Sequence, residues 1–235
     1  MKFSSRNKTG GAPFVWALGV AALIFLAPSP SGADQKSDVL TVAEKMREAF
    51  SGIQEYSSEV EQIYYRKGIE DERFRFHYAF RKPDRVRVDF VAPHAGLKLF
   101  YRRGDAKATL CPFPSVPSFR PSLSIDNPLL KTPTGQCIHQ TDMVFFIDFL
   151  FKNLRDVPQK ASDLREEEGQ VSFTLWATDY VKKGEAPDKF RIAVCTRTWL
   201  PLRVERYSSG NSPLEVSMMR NYRFNVHPDD RWFDP

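Results

Sequence analysis

Cysteine is scarce in this sequence, three residues in 235, and no two of the three form a CxxC pair. The four histidines are as scattered: His77, His94, His139 and His227 include no pair at helical i,i+3 or i,i+4 spacing. A structural zinc site needs such spacing, so no metal is expected. There is no GxSxG elbow around a serine, and Ser57, Ser58 and Ser208 fall in strands or turns without a nucleophile signature. Cys137, two residues from His139, is the remaining nucleophile–base pair, and in an export compartment such a thiol is prone to oxidation. No glycine-rich phosphate loop occurs, so no nucleotide cofactor is expected. Long apolar runs are also missing. The longest uncharged one is the stretch from Phe14 to Ala27, and at about 1.5 Å per residue it falls short of a hydrocarbon core of roughly 30 Å.

That short run has a setting of its own. Lys2, Arg6 and Lys8 precede it, a Pro/Ser stretch follows, and Ser31-Gly32-Ala33 puts small residues before Asp34. This is the layout of a cleavable secretory leader over residues 1–33, with an uncleaved anchor as the alternative. Removing those three bases from the 34 basic residues leaves 31 against 29 acidic ones, so the basic pI of the whole chain is partly the leader's and is no nucleic-acid footprint. Residues 34–235 suit one domain with a sizeable core, expected in the periplasm and as a monomer. In that compartment Cys111 and Cys137, which flank a Pro-rich stretch, are candidates for a disulfide; three buried thiols are the alternative.

The periodicity changes along the chain. Residues 38–52 repeat apolar positions near 3.6, with Val39, Leu40, Ala43, Met46 and Phe50 on or beside one stripe, and predict a helix ending at Gly52. From there the period is two. Strands are predicted over 56–66, 72–81, 85–91, 97–102 and 106–111, then over 159–167, 170–178, 188–198, 201–208 and 213–224, with turns at Lys67-Gly68, Glu167-Glu168-Gly169 and Ser209-Gly210-Asn211. Five prolines between 112 and 128 interrupt this pattern through residue 140 and rule out a central strand or long helix there. An irregular stretch of that length in a compact domain is usually functional or mobile. Residues 141–154, TDMVFFIDFLFKNL, read as a capped helix that is apolar around most of its circumference.

Helix, meander, helix, meander is an α+β order, mainly antiparallel. A sheet this long curls, and an unclosed half-barrel with helices over its concave hydrophobic face would bury both helices.

The segment from Tyr78 to Tyr101, YAFRKPDRVRVDFVAPHAGLKLFY, resembles the core signature of the LolA/LolB-like superfamily of periplasmic lipoprotein carriers and outer-membrane lipoprotein-sorting proteins. A strand ends in a basic residue and Pro, a strand alternating basic and apolar residues follows, and then a Pro precedes a strand ending near an aromatic. The Glu61-Gln62 pair in the first strand, the mid-chain helix and the ending from Asn221 to Pro235 fit the same order. The resemblance implies an unclosed antiparallel barrel whose helices form a lid over a cavity for acyl chains. It also implies that Lys82, at the position before the Pro where the carriers have Arg, takes part in opening and closing.

On that basis Phe74, Phe76, Tyr78, Phe80, Val86, Val88, Phe90, Leu97 and Leu99 are expected to line the cavity; the competing reading makes them plain core under a helix. Lys82, Phe145, Phe146, Phe149 and Leu150 are the expected lid, with a permanent core helix as the alternative. Arg73, Arg75, Arg85 and Arg87 form either a stripe for anionic groups or a solvated sheet face. Three functions stand open: a binding or carrier protein for a lipid or lipidated protein, without covalent chemistry; an envelope interaction module contacting an inner- or outer-membrane protein; or a hydrolase whose site carries no known signature.

Overall fold

The computed structural model describes residues 32–116, 118–156, 162–178, 186–226 and 229–235. The expected leader lies almost wholly outside the described residues. So does the start of the strand expected at 159.

Among the described residues eleven strands form one antiparallel sheet in the order β6-β5-β4-β3-β2-β1-β11-β10-β9-β8-β7. The first meander comprises β1 (Glu55–Arg66), β2 (Ile69–Arg81), β3 (Arg85–Ala92), β4 (Lys98–Arg102), β5 (Lys107–Cys111) and the short β6 (Ser122–Ser124). The second comprises β7 (Ser162–Glu167), β8 (Gln170–Ala177), β9 (Asp188–Cys195), β10 (Pro201–Tyr207) and β11 (Pro213–Phe224). The two halves join where β1 pairs with β11, so the first and last strands sit at the centre. The sheet does not close: β6 and β7 are its edges. This is the open half-barrel the sequence predicts.

Most strand limits agree with the sequence pattern within three residues, and the departures have local causes. β9 stops at Cys195 instead of 198 because Thr196–Thr198 turn and Trp199 adopts a positive φ of 53°, which ends the extended run before Pro201. The Pro-rich stretch holds one strand after all, β6, and it pairs only with β5 at the sheet edge, where prolines are tolerated.

Helix α1 (Gly32–Ser51) buries Val39, Val42, Ala43, Met46 and Phe50. Helix α2 (Met143–Asp156) leaves Asp148, Lys152 and Arg155 exposed along one narrow stripe. Most of the rest of α2 is buried or half-buried because α1 lies on one side of it and β8 on another. Phe149 meets Phe190 of β9 edge-on at 5.1 Å between ring centres. One apolar core therefore joins both helices to one sheet face. No described helix is long and apolar enough to cross a membrane.

The opposite sheet face is charged, and of the four expected strand-borne bases Arg73, Arg85 and Arg87 are paired. Arg73 bonds Glu61 and Glu70, and Arg81 bonds Glu55. Arg87 is buried: it bonds Asp89 at 2.8 Å, donates to the Trp232 carbonyl, and stacks under the Trp232 ring at 4.0 Å. Arg85 reaches Asp234. The C-terminal turn Asp230–Phe233 thus covers the sheet over β3, and Arg85 and Arg87 belong neither to a free basic stripe nor to a fully solvated face.

Candidate functional site

On the helix-bearing face the interior is not filled. Between the sheet and residues 128–143 lies a cavity of about 760 Å³. A volume in this range accommodates a small-molecule ligand.

Strand alternation supplies the wall. β1 turns Tyr56, Ser58, Val60, Gln62 and Tyr64 inward, two residues apart. β2 adds Phe74, Phe76 and Tyr78, β3 adds Val88 and Phe90, and Leu97 and Leu99 follow. Seven of the nine expected lining residues therefore border the cavity. Phe80 and Val86, cross-strand partners, do not. They lie sealed against the end of α1, with the Phe50 ring 6.2 Å from that of Phe80. β11 contributes Glu215, Ser217, Met219 and Tyr222, and β10 contributes Val204 and Arg206.

The cover is the Pro-rich excursion, not the body of α2. Asn127 caps a 3-10 turn at Pro128–Leu130 by accepting from the Leu129 amide. An isolated bridge joins Lys131 to Cys137 around a turn at Thr132–Gly135, and a second 3-10 turn at Ile138–Gln140 leads into α2. The excursion lies against the β3–β4 turn so closely that a Cβ on Gly96 would stand 2.6 Å from Pro114 Cγ. Its φ of +86° also suits glycine alone.

Of the expected lid residues, only Phe146 borders the cavity. Phe145 is half-buried, and Phe149 and Leu150 are core. Lys82 is away from the cavity. Its ammonium donates to the carbonyls of Phe50 and Ser51 at 2.8 and 3.0 Å, capping α1 with a positive charge where the helix dipole favours one. Partial burial nudges its pKa down.

The cysteines are free thiols, so the expected Cys111–Cys137 bridge is not formed. Cys111 ends β5 opposite Lys98, whereas Cys137 is drawn into the cover, where its amide donates to Gln140. Cys137 borders the cavity and His139 does not. Among the described residues no group of three or more His, Cys, Asp or Glu is placed to hold a metal ion.

Two polar spots interrupt the apolar wall. At one, Glu215 accepts from Thr134 of the cover at 2.8 Å and from Ser217 at 3.3 Å. Gln62 donates to Ser217, and Tyr64 donates to Gln62. Arg206, buried beside them, bonds Asp188 at 2.7 Å. At the other, Tyr56, Tyr78 and Asp142 come together, with the two rings 5.9 Å apart. Tyr64 and Ser58, one at each spot, are six residues apart on β1, which at about 3.3 Å per residue is roughly 20 Å. The sequence pattern missed the polar members because Ser58, Gln62 and Ser217 carry no apolar signal. The alternation of Tyr56, Val60 and Tyr64 was the clue available.

Burial raises the pKa of Glu215, and Thr134, Arg206 and Ser217 only partly offset it. The folded state then holds this proton more tightly than the unfolded chain does. Its contribution to stability is complete below the unfolded glutamate pKa, near 4.5, and is lost as pH rises through the elevated folded value. Asp142, raised by burial, adds a slope of the same sign. Chemical denaturation of the Glu215→Gln variant across this range should therefore show a flatter, not a flat, pH dependence.

No family model matches the chain, and no curated protein matches it. Solved structures do resemble it. A DUF1329 family protein from Desulfovibrio piger has 14% identity, covers 85% of this chain and 97% of its own, and has a TM-score of 0.48. A LolA superfamily protein from Nitrosomonas europaea has 12% identity, coverage of 82% and 96%, and a TM-score of 0.39. The MucA/MucB complex of Pseudomonas aeruginosa has 13% identity, coverage of 85% and 60%, and a TM-score of 0.44. At these values the functional reading rests on the cavity of this chain.

Proposed function

We propose that this protein binds the hydrocarbon part of a lipid or of a lipidated protein and carries it in the bacterial envelope, without covalent chemistry. The supporting observation is the roughly 760 Å³ space between the aromatic sheet face and a cover that is neither helix nor strand for most of its length. Residues 1–33 would be the export leader, and residues 34–235 the binding domain, acting as a monomer in the periplasm.

Affinity would come from drying the chain, about 0.8 kcal/mol for each methylene taken from water. The cover carries few regular hydrogen bonds to the sheet, and its Thr134–Glu215 bond is one that a ligand entering beneath it would strain. Movement of such a segment would gate entry. A second reading, contact with an envelope membrane protein, draws on the tip of the Pro-rich excursion. Phe113 and Phe119 stack there with ring centres 5.9 Å apart, and both are exposed, as is Val116. Such solvent-facing apolar groups fit an interaction surface.

An environment-sensitive apolar dye tests the carrier reading. Micromolar binding that is displaced by long-chain lipids supports it. Absence of dye binding at those concentrations overturns it.

A further inference from the structure

The polar spot formed by Tyr78 and Asp142 stands out among the described residues because its groups are buried, face the cavity and are incompletely bonded. Tyr78 is 5% exposed and Asp142 1%. Both border the cavity. Among the described residues nothing donates to the Oδ2 of Asp142, and the Tyr78 hydroxyl makes no hydrogen bond of full geometry, with the hydroxyls of Tyr56 and Thr141 beside it. Asp142 Oδ1 is already used: it caps α2 by accepting from the Phe145 amide at 2.8 Å. The Arg103 guanidinium forms a loose ion pair with Oδ2 at 3.8 Å, too far for a hydrogen bond. Buried polar atoms left this way are costly, and in a native fold they call for water or a ligand. By contrast, the Glu215 spot is bonded internally through Thr134 and Ser217.

We propose that Tyr78 and Asp142 form a head-group subsite for a neutral amphiphile whose polar group is a hydroxyl or an amide. This rests on the cavity's binding of hydrocarbon. Asp142 Oδ2 offers an acceptor and the Tyr78 O–H a donor, so the matching ligand group both donates and accepts. Hydroxyls and secondary amides do both. A carboxylate or phosphate would bring a second negative charge against a buried carboxyl, which is strongly unfavourable away from water. The ligand's tail would run from this corner along β1, over Val60 and past Phe76 and Phe90, all of which border the cavity. Ser58, opposite Tyr78 in the β1–β2 register and buried against the same space, adds a hydroxyl at the corner.

Competition binding with hexadecanol, palmitamide, palmitate and hexadecane tests this on the purified protein. In the wild type, hexadecanol and palmitamide should bind at least about tenfold more tightly than palmitate, the ratio that one buried hydrogen bond or one avoided charge contact supplies. In Tyr78→Phe the ratio of hexadecanol to hexadecane affinity should fall about tenfold. Because the lost hydroxyl makes no hydrogen bond of full geometry inside the protein, the thermal midpoint of that variant should change little. Asp142→Asn keeps the helix cap and removes the charge, and should narrow the gap between palmitamide and palmitate. Equal affinity for all four ligands, or a hexadecanol-to-hexadecane ratio untouched by Tyr78→Phe, overturns the head-group subsite while leaving the hydrocarbon cavity standing. Failure of all four to bind overturns both.

Discussion

Tryptophan at both Val60 and Met219 should cost the protein about 100-fold in affinity for an apolar ligand while leaving it folded. The two residues face each other across β1 and β11 and both border the cavity. Two indole rings there would occupy space otherwise open to the ligand. Excluding some four methylenes removes about 3 kcal/mol of binding, which is the stated factor. In a filled core the same double change would overpack and destabilise by several kcal/mol. Dye titration and thermal unfolding of the one variant therefore separate the cases. Lost binding with a preserved midpoint agrees with an open interior. Preserved binding places the ligand elsewhere, and a collapsed midpoint means the interior was full.

A second large effect is expected at the ion pair between Arg206 and Asp188, in which both side chains are buried. Arg206→Met leaves the buried Asp188 carboxyl without its guanidinium, and should cost about 3–5 kcal/mol. For a domain of this size that lowers the unfolding midpoint by roughly 10 °C. The double variant Arg206→Met/Asp188→Leu should recover the part of the loss that comes from Asp188, because neither member of that pair then remains buried alone, while Glu215 still lacks its guanidinium neighbour. Arg206 also holds the Glu215 pKa down. Its removal should strengthen the loss of stability with rising pH that Glu215 produces, and urea titrations from acidic to neutral pH would read both effects.

The open antiparallel sheet was legible in the sequence because its strands have one apolar face. Phe74, Phe76 and Tyr78, then Val88 and Phe90, alternate with charged residues, and all five border the cavity. What the pattern concealed falls into two kinds. Residues 128–143 form the cover without a period of 2 or 3.6, since prolines and 3-10 turns set its path. A strongly apolar helix beside it, α2, looks the better lid from its sequence, yet it packs against α1 and the sheet, and only its first turn borders the cavity.

The second kind depends on residues far apart in the chain. Arg87 reads as one of several strand-borne bases until Trp232 covers it, 145 positions away. Lys82 occupies a position that the family resemblance marks as a gate, and the partners it finds there, the carbonyls of Phe50 and Ser51 at the end of α1, lie some thirty residues back along the chain. Glu215 looks like an ordinary outward strand acid in an alternating run. It turns inward because Arg206 is its cross-strand partner and Thr134 descends from the cover to bond it. Sequence spacing carries none of these long-range pairings.

Native mass spectrometry of the protein purified gently from a bacterial envelope extract tests the central claim most directly. The account predicts a population heavier than the polypeptide by the mass of one acyl-chain molecule, with the excess lost on organic extraction and regained on incubation with lipid vesicles. A bare polypeptide mass from the extract that stays bare after such incubation would contradict it.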